Sequence, residues 1–216
     1  MKYFLTLLSL ILVVSFANAQ NSQSIHEYQL NHYNSLANST AEHYESTIQP
    51  ASGVYHEKSG CQLNKVVYGW HPYWVGSVYQ NYNWDLLSHF SFFSYEVNTA
   101  DGEPITTHGW SSSAAVGAAL ASGNTKVTLT VTLFSDHATF LSNPTAQQTL
   151  ISNLINLVQS RGAHGVNIDF EGLPSSYKIE FAYFMVNLCN QMHSAIPGSE
   201  VSTVLYAVDW NNVFDF

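Results

Sequence analysis

The sequence predicts an α/β fold: a (β/α)8 TIM barrel, truncated after about strand five. Three observations carry this expectation. From Cys61 onward, β-rich runs alternate with helix-period segments, which implies parallel βα units joined by right-handed crossovers. A doubly wound sheet would place a glycine-rich phosphate loop after its first strand. That position holds HPYW (71–74), and neither GxGxxG nor GxxxxGK followed by Ser or Thr occurs anywhere. Finally, GVNIDFEG (165–172) puts Asn167, Asp169 and Glu171 at alternate positions of an otherwise apolar run, where a barrel strand would turn them inward.

The first strand is read in KVVYGW (65–70), followed by the aromatic loop HPYWVGSVYQNYNW. A second strand, HFSFFSYEV (89–97), leads through a turn at Asp101-Gly102 to a helix over residues 111–121, which Gly123-Asn124 ends. The third strand is KVTLTVTLF (126–134). Asn143 caps the next helix, Pro144 suits its first position, and Leu150, Leu154, Leu157 and Val158 mark its apolar face before Arg161-Gly162 stops it. After GVNIDFEG, a long helix over 175–195 carries Tyr177, Phe181, Phe184, Leu188 and Met192 at three- and four-residue steps. Pro197-Gly198 closes it, and VSTVLYAV (201–208) is the fifth strand. Residues 61–216 fall short of the about 250 residues of a complete barrel, so the chain reads as part of a longer one.

The residues before Cys61 are of another kind. Lys2, the apolar run Phe4–Phe16 and the small-residue site Ala17-Asn18-Ala19 form an export signal over 1–19, which predicts a secreted, periplasmic or surface protein. A membrane anchor would need about 20 apolar residues, and no later segment is apolar enough to span a bilayer. Residues 20–60 are a polar leader or linker. Ile25, Tyr28, His32 and Leu36 could form one marginal helical stripe, and Asn38-Ser39-Thr40 matches a glycosylation acceptor.

Composition excludes several functions. At 46% hydrophobic and 14% aromatic the chain is globular, and its formal charge of −9, from 15 acids against 6 bases, repels nucleic acid and anionic lipid but not a neutral polysaccharide. Cys61 and Cys189 show no spacing that pairs them. The ten histidines form no HxH or HExxH pattern, so no metal and no cofactor is implied.

Buried, unpaired carboxylates are costly, so two of them inside a barrel point to chemistry rather than stability. An ionised Asp169 would discourage ionisation of Glu171, and one shared proton would let Glu171 serve as an acid. The alternative is an antiparallel strand with a wet face.

GVNIDFEG resembles the signature of glycoside hydrolase family 18, the chitinase family, whose fourth barrel strand reads DGxDxDxE. The match falls on Gly165, Asp169 and Glu171, with His164 and Asn167 at the two other acid positions. The likeness runs over 65–216, where VVYGWHPYW is similar to the family's aromatic first strand. It implies a glycosidase that hydrolyses β-1,4-linked N-acetylglucosamine polymers by a retaining, substrate-assisted route. Glu171 would be the general acid and base, and Asp169 would orient the substrate's 2-acetamido group, whose oxygen attacks the anomeric carbon. This route is an exception to the two-carboxylate scheme. Asn167 stands where many members carry an acid that helps hold the proton on the Asp, and some peptidoglycan-acting relatives share this form. Thr130 stands near the serine of the family's strand-three SxGG. The family's strand-six Met-x-Tyr and strand-eight tryptophan would lie beyond Phe216, so the chain alone is expected to have little or no activity.

Trp70, Tyr73, Trp74, Trp84, Trp110 and Trp210 follow strands and are candidates for the mouth, where flat rings stack on sugars, although each could equally be core. Trp70 and Trp74 are the leading substrate-binding candidates. His71 and Asp136-His137 also follow strands. The expected partner is thus a polysaccharide containing N-acetylglucosamine, chitin first and peptidoglycan second; a catalytically silent sugar-binding relative is the other class.

Overall fold

The computed structural model describes residues 23–49, 63–209 and 212–214. The export signal, Cys61 and Trp210 lie outside them. Two compact units divide the chain, residues 1–36 and 37–216. In the first, helix α1 (Ile25–Asn34) is capped by Ser24, whose Oγ accepts from the Glu27 amide at 3.0 Å. Its buried residue is Leu30, and Ile25, Tyr28 and Leu36 are exposed. The stripe read from the sequence is therefore not the apolar face. No helix among the described residues is long and apolar enough to cross a membrane.

The second unit is built on a six-stranded sheet. Strands β1 (Tyr68–Pro72), β2 (His89–Val97), β4 (Lys126–Leu133), β5 (Gly165–Phe170) and β6 (Glu200–Thr203) lie side by side in that order, all parallel. Sequential order with every neighbour parallel is how a β/α barrel begins. Strand β3 (Pro104–Thr106) departs from expectation. It folds back antiparallel onto the end of β2, through the turn that contains Asp101-Gly102. Strand β1 starts at Tyr68 rather than Lys65, and β6 ends at Thr203 rather than residue 208.

The helices follow their local signals. Helix α3 (Ala114–Ser122) starts after Ser113, whose Oγ accepts from the Val116 amide, three residues later than the sequence suggested. Helix α4 (His137–Leu141) is a single short turn after β4. Helix α5 (Pro144–Arg161) is capped by Asn143, which accepts from the Ala146 amide at 3.2 Å, and it ends at Gly162 with φ of 64°, a left-handed conformation that glycine adopts without steric cost. Helix α6 (Lys178–Ala195) buries Phe181, Phe184, Leu188 and Met192, as its periodicity predicts. Cys189 is a free thiol on this helix.

The sheet has two unlike faces. Val127, Leu129, Val131, Leu133, Val166, Ile168 and Phe170 alternate along β4 and β5 and are all buried. Phe170 shows where they point: its ring is stacked on Phe184 at 5.8 Å and meets Phe140 and Phe181 at 5.8 and 5.9 Å. Each such side chain contributes about 1.5–3 kcal/mol through burial. The residues between them, Thr128, Thr130, Thr132, Asn167 and Asp169, face the other way and are also buried.

Part of the leader belongs to this unit. Helix α2 (Ala41–Thr47) packs on the 3₁₀ turn over Tyr73–Asn81, with Tyr44 and Tyr73 ring centroids 5.8 Å apart. Gly76 permits the approach: a Cβ there would sit 2.4 Å from the Tyr44 carbonyl oxygen. Glu45 reaches the start of α3, accepting from Ser113 Oγ at 2.7 Å and from the Ala114 and Ala115 amides at 2.9 and 3.1 Å. A carboxylate on two orphan amides at a helix start acts as a cap supplied from elsewhere in the chain. His108, buried and stacked on Tyr73 at 3.8 Å, also bonds the Ser39 carbonyl and Glu96.

Two outcomes follow for stability. Glu45→Ala should lower the unfolding free energy by about 1–2 kcal/mol in chemical denaturation, the scale of a lost helix cap. His71, on β1, is buried against Phe90 and Phe92 with Nδ1 3.1 Å from Tyr82 Oη, and burial pushes its pKa down to about 4. The unfolded chain, with an ordinary histidine near 6.5, binds the extra proton first. Stability is therefore full above pH 6.5 and declines as the pH falls toward 4. His71→Phe should flatten that slope in urea melts run across this range.

Candidate active site

Glu171 follows β5 directly, and its amide continues the ladder by donating to the Leu133 carbonyl at 3.1 Å. The next amide, Gly172, donates to Tyr206 Oη at 2.9 Å. These contacts hold the turn at the C-terminal ends of β4 and β5, where parallel sheets carry their chemistry. Asp169 is fully buried, Glu171 half-buried, and a carboxylate oxygen of one lies within 4.8 Å of a carboxylate oxygen of the other. Asp169 pairs in register with Thr132, and Asn167 with Thr130.

Asn167 sits one step below Asp169 on the same face. Its Oδ1 accepts from Trp70 Nε1 at 2.9 Å, and its Nδ2 donates to Ser202 Oγ at 2.9 Å. Trp70 belongs to β1 and Ser202 to β6, so one amide joins three strands. Tyr68, two residues before Trp70, bonds Thr128 Oγ1 at 2.8 Å and Ser202 Oγ at 3.5 Å. Ser91 on β2 accepts from Thr128 Oγ1 at 2.9 Å and lies 2.7 Å from Thr130 Oγ1, and Ser94 lies 3.2 Å from Thr132 Oγ1.

This network reveals the curvature. In a flat sheet β1 and β6, four pairings apart, would be separated by about 19 Å. A Tyr68–Ser202 contact at 3.5 Å requires the sheet to curl, with its polar residues on the concave side. At the opposite ends of the strands, Glu200 bonds His89 Nε2 at 2.7 Å and also Lys126, drawing β6 toward β2 and β4. The arc of a barrel is thus present, and its concavity holds Asn167 and Asp169.

The six residues singled out by sequence are distributed as follows. Asn167, Asp169 and Thr130 line the concave face, and Glu171 stands at its C-terminal rim. Trp70 is 41% exposed and hydrogen-bonded to Asn167, while Trp74 is 6% exposed and packs edge-to-face on Tyr73 and Phe93. Thr130 is fully buried and spends its hydroxyl on Ser91, deep in the lining. Two other aromatic candidates are placed by packing: Trp110 is buried, with Nε1 donating to the Leu157 carbonyl at 3.1 Å, and Trp84 packs on Tyr82 and Phe90. Sequence reasoning missed Tyr68, Ser91, Ser202 and Tyr206. Tyr68 had a visible signal, since it shares the strand face of Trp70 at i−2.

No family model matches the chain, and no curated protein does. Solved structures do share its fold. A Group IV chitinase from Ostrinia furnacalis matches at TM-score 0.61 and 13% identity, over 70% of this chain and 47% of that one. A GH18 chitinase from Cycas revoluta, in complex with (GlcNAc)4, matches at 0.56 and 16%, over 69% and 49%. The spore cortex-lytic enzyme of Bacillus cereus matches at 0.50 and 19%, over 59% and 31%. The fold is therefore similar to that of the chitinases of glycoside hydrolase family 18, and the chain spans less than half the length of each of these structures.

The Trp70–Asn167 bond is testable apart from any activity. Trp70→Phe keeps most of the ring but removes the donor, leaving a buried amide oxygen unmatched. Denaturant melts should show a loss of about 1–3 kcal/mol, and Asn167→Leu in the Trp70→Phe background should add less than it does alone.

Proposed function

We propose that this chain supplies the acid-bearing part of the barrel of a secreted glycosidase acting on β-1,4-linked N-acetylglucosamine polymers, chitin first and peptidoglycan second. The observation that carries the reading is the pair Asp169, on β5, and Glu171, just past its end, on the concave face and at the C-terminal rim of a curled parallel sheet, with carboxylate oxygens within 4.8 Å. In this reading Glu171 protonates the glycosidic oxygen and then takes a proton from water. Asp169 orients the 2-acetamido group, whose oxygen attacks the anomeric carbon. Two carboxylates so close on one strand suit this division of labour, because the nucleophile belongs to the substrate and no protein carboxylate is needed on the far side of the sugar.

The surroundings support the assignment. Asp169 is buried, where its electrostatic effect on a bound amide is stronger than in water. Asn167 is held from both ends, so its amide is fixed in orientation beneath Asp169. Trp70, with two-fifths of its surface open, is the aromatic candidate for a sugar face. The (GlcNAc)4 bound to the Cycas revoluta chitinase, a protein of similar fold, favours the same ligand class. Peptidoglycan stays second on the Asn167 form of the motif and on the fold shared with the spore cortex-lytic enzyme. Thr130 and Trp74 are proposed to shape the floor and wall of the cleft by packing.

The deciding experiment compares wild type with Glu171→Gln in the full product of the gene. Hydrolysis of chitin oligosaccharides should fall by about 10²–10⁴-fold, the range for a lost general acid, while the affinity for (GlcNAc)4, measured calorimetrically, stays within about threefold. Turnover that survives the substitution removes Glu171 from the chemistry. Binding without hydrolysis in the wild type identifies a sugar-binding relative instead.

A further inference from the structure

The structure assigns a second role at this site, to a residue that the proposed chemistry does not use: His137 is a positioning residue that locks the backbone of Glu171. The inference rests on the glycosidase reading for its consequence, but not for its geometry. His137 opens α4, immediately past the end of β4, and its side chain turns back under the strand ends, 3% exposed. Nε2 lies 3.2 Å from the Leu133 carbonyl oxygen. The same oxygen receives the Glu171 amide at 3.1 Å. The Leu133 carbonyl thus has both lone pairs occupied, by the ring and by the amide of the candidate acid. The Glu171 backbone also lies near enough to the ring to raise its pKa. Phe170 meets the ring in a T-shaped contact, centroids 6.3 Å apart at 67°, and Phe170 is the residue between the two carboxylates.

Each contact bears on the same peptide. Phe170 is anchored among Phe140, Phe181 and Phe184 on the convex side. From there the chain must turn so that Glu171 stands at the rim, and Gly172 leaves the strand with φ of 74°. A turn that departs from the ladder loses regular partners, and its backbone groups need others. His137 braces from beneath the Leu133 carbonyl that holds the Glu171 amide, and Tyr206 accepts from Gly172. Burial pushes the His137 pKa down, while the Leu133 and Glu171 backbone and the nearby Asp136 carboxylate act in the opposite sense. A ring held between a buried carbonyl and a buried aromatic is a rigid spacer. A displacement of about 1 Å at a catalytic group can cost about 10²-fold in rate, so such a spacer matters to an acid that must reach a glycosidic oxygen.

Two substitutions separate positioning from bulk. His137→Phe fills the volume without a donor, and His137→Gln keeps a donor on a flexible stem. Backbone hydrogen exchange over residues 169–173 should be about tenfold faster in His137→Phe, corresponding to one lost hydrogen bond. The amides of β2 and α5 should be unchanged, and His137→Gln should recover most of the protection. Where hydrolysis is measurable, His137→Phe should lower kcat about tenfold or more and leave KM within about twofold, because the group is displaced in the chemical step rather than in binding. Protection at 169–173 within twofold of wild type in His137→Phe overturns the proposal. So does a loss of protection spread equally over the whole chain in both variants, which would make His137 a packing residue. Failure of the glycosidase reading is seen separately, as turnover surviving Glu171→Gln with exchange at 169–173 intact.

Discussion

The constraint on which the rest depends is the polar lining of the concave face. Alternation along β4 and β5 puts Thr128, Thr130, Thr132, Asn167 and Asp169 on one side of the sheet, buried from water. Buried polar groups must find partners, and within a flat sheet only adjacent strands can provide them. Curling brings more distant strands within reach. Tyr68 and Trp70 on β1 bond residues of β4, β5 and β6, passing over β2. On the convex side the same curvature spreads the apolar side chains and lets α4, α5 and α6 settle over them. One alternating pattern thus drives both layers.

β5 carries the separation of roles to its limit. Its convex residues Val166, Ile168 and Phe170 hold the helices, and its concave residues Asn167 and Asp169 carry an amide and a carboxylate on the opposite face. Core packing and the candidate site are therefore interleaved residue by residue along one strand. Placement of the acids is set by the aromatic cluster behind them, since Phe170 cannot move among Phe140, Phe181 and Phe184 without shifting the peptides on either side. His137 belongs to this rear support, although its ring lies directly beneath the rim.

What could be read from the sequence was what local chemistry decides. Asn143, Pro144 and Gly162 delimit α5 by capping and φ preference alone, and the Thr–Val alternation of β4 and the motif on β5 give both faces correctly. Long-range contacts decided the remainder. The return strand β3 exists because residues 104–106 pair with the end of β2; PIT carries too little pattern to announce itself. The start of α3 has a local cap in Ser113 but is also held by Glu45, some 70 positions away in sequence, a partner that nothing near residue 114 encodes. The aromatics were ambiguous for the same reason. Trp70 and Trp74 are four residues apart in one aromatic run, yet one lies open beside Asn167 and the other closes on Phe93. Their surroundings come from other strands, which spacing cannot reveal.

The amide at position 167 polarises the lining in one direction. An indole N–H only donates, so the oxygen of Asn167 must face Trp70 and the amide nitrogen must face Ser202. Ser202 then accepts from Asn167 and keeps its own proton for Tyr68, Tyr68 keeps its proton for Thr128, and Thr128 donates to Ser91. One direction satisfies every link, and the Thr128 hydroxyl, whose one proton goes to Ser91, sets it. The lining beneath Asp169 is consequently neutral and fixed, whereas an acid at 167 would add a titrating charge and reverse the Ser202 hydroxyl. Above this lining Asp169 stands on the concave face and Glu171 at the rim, their carboxylate oxygens within 4.8 Å.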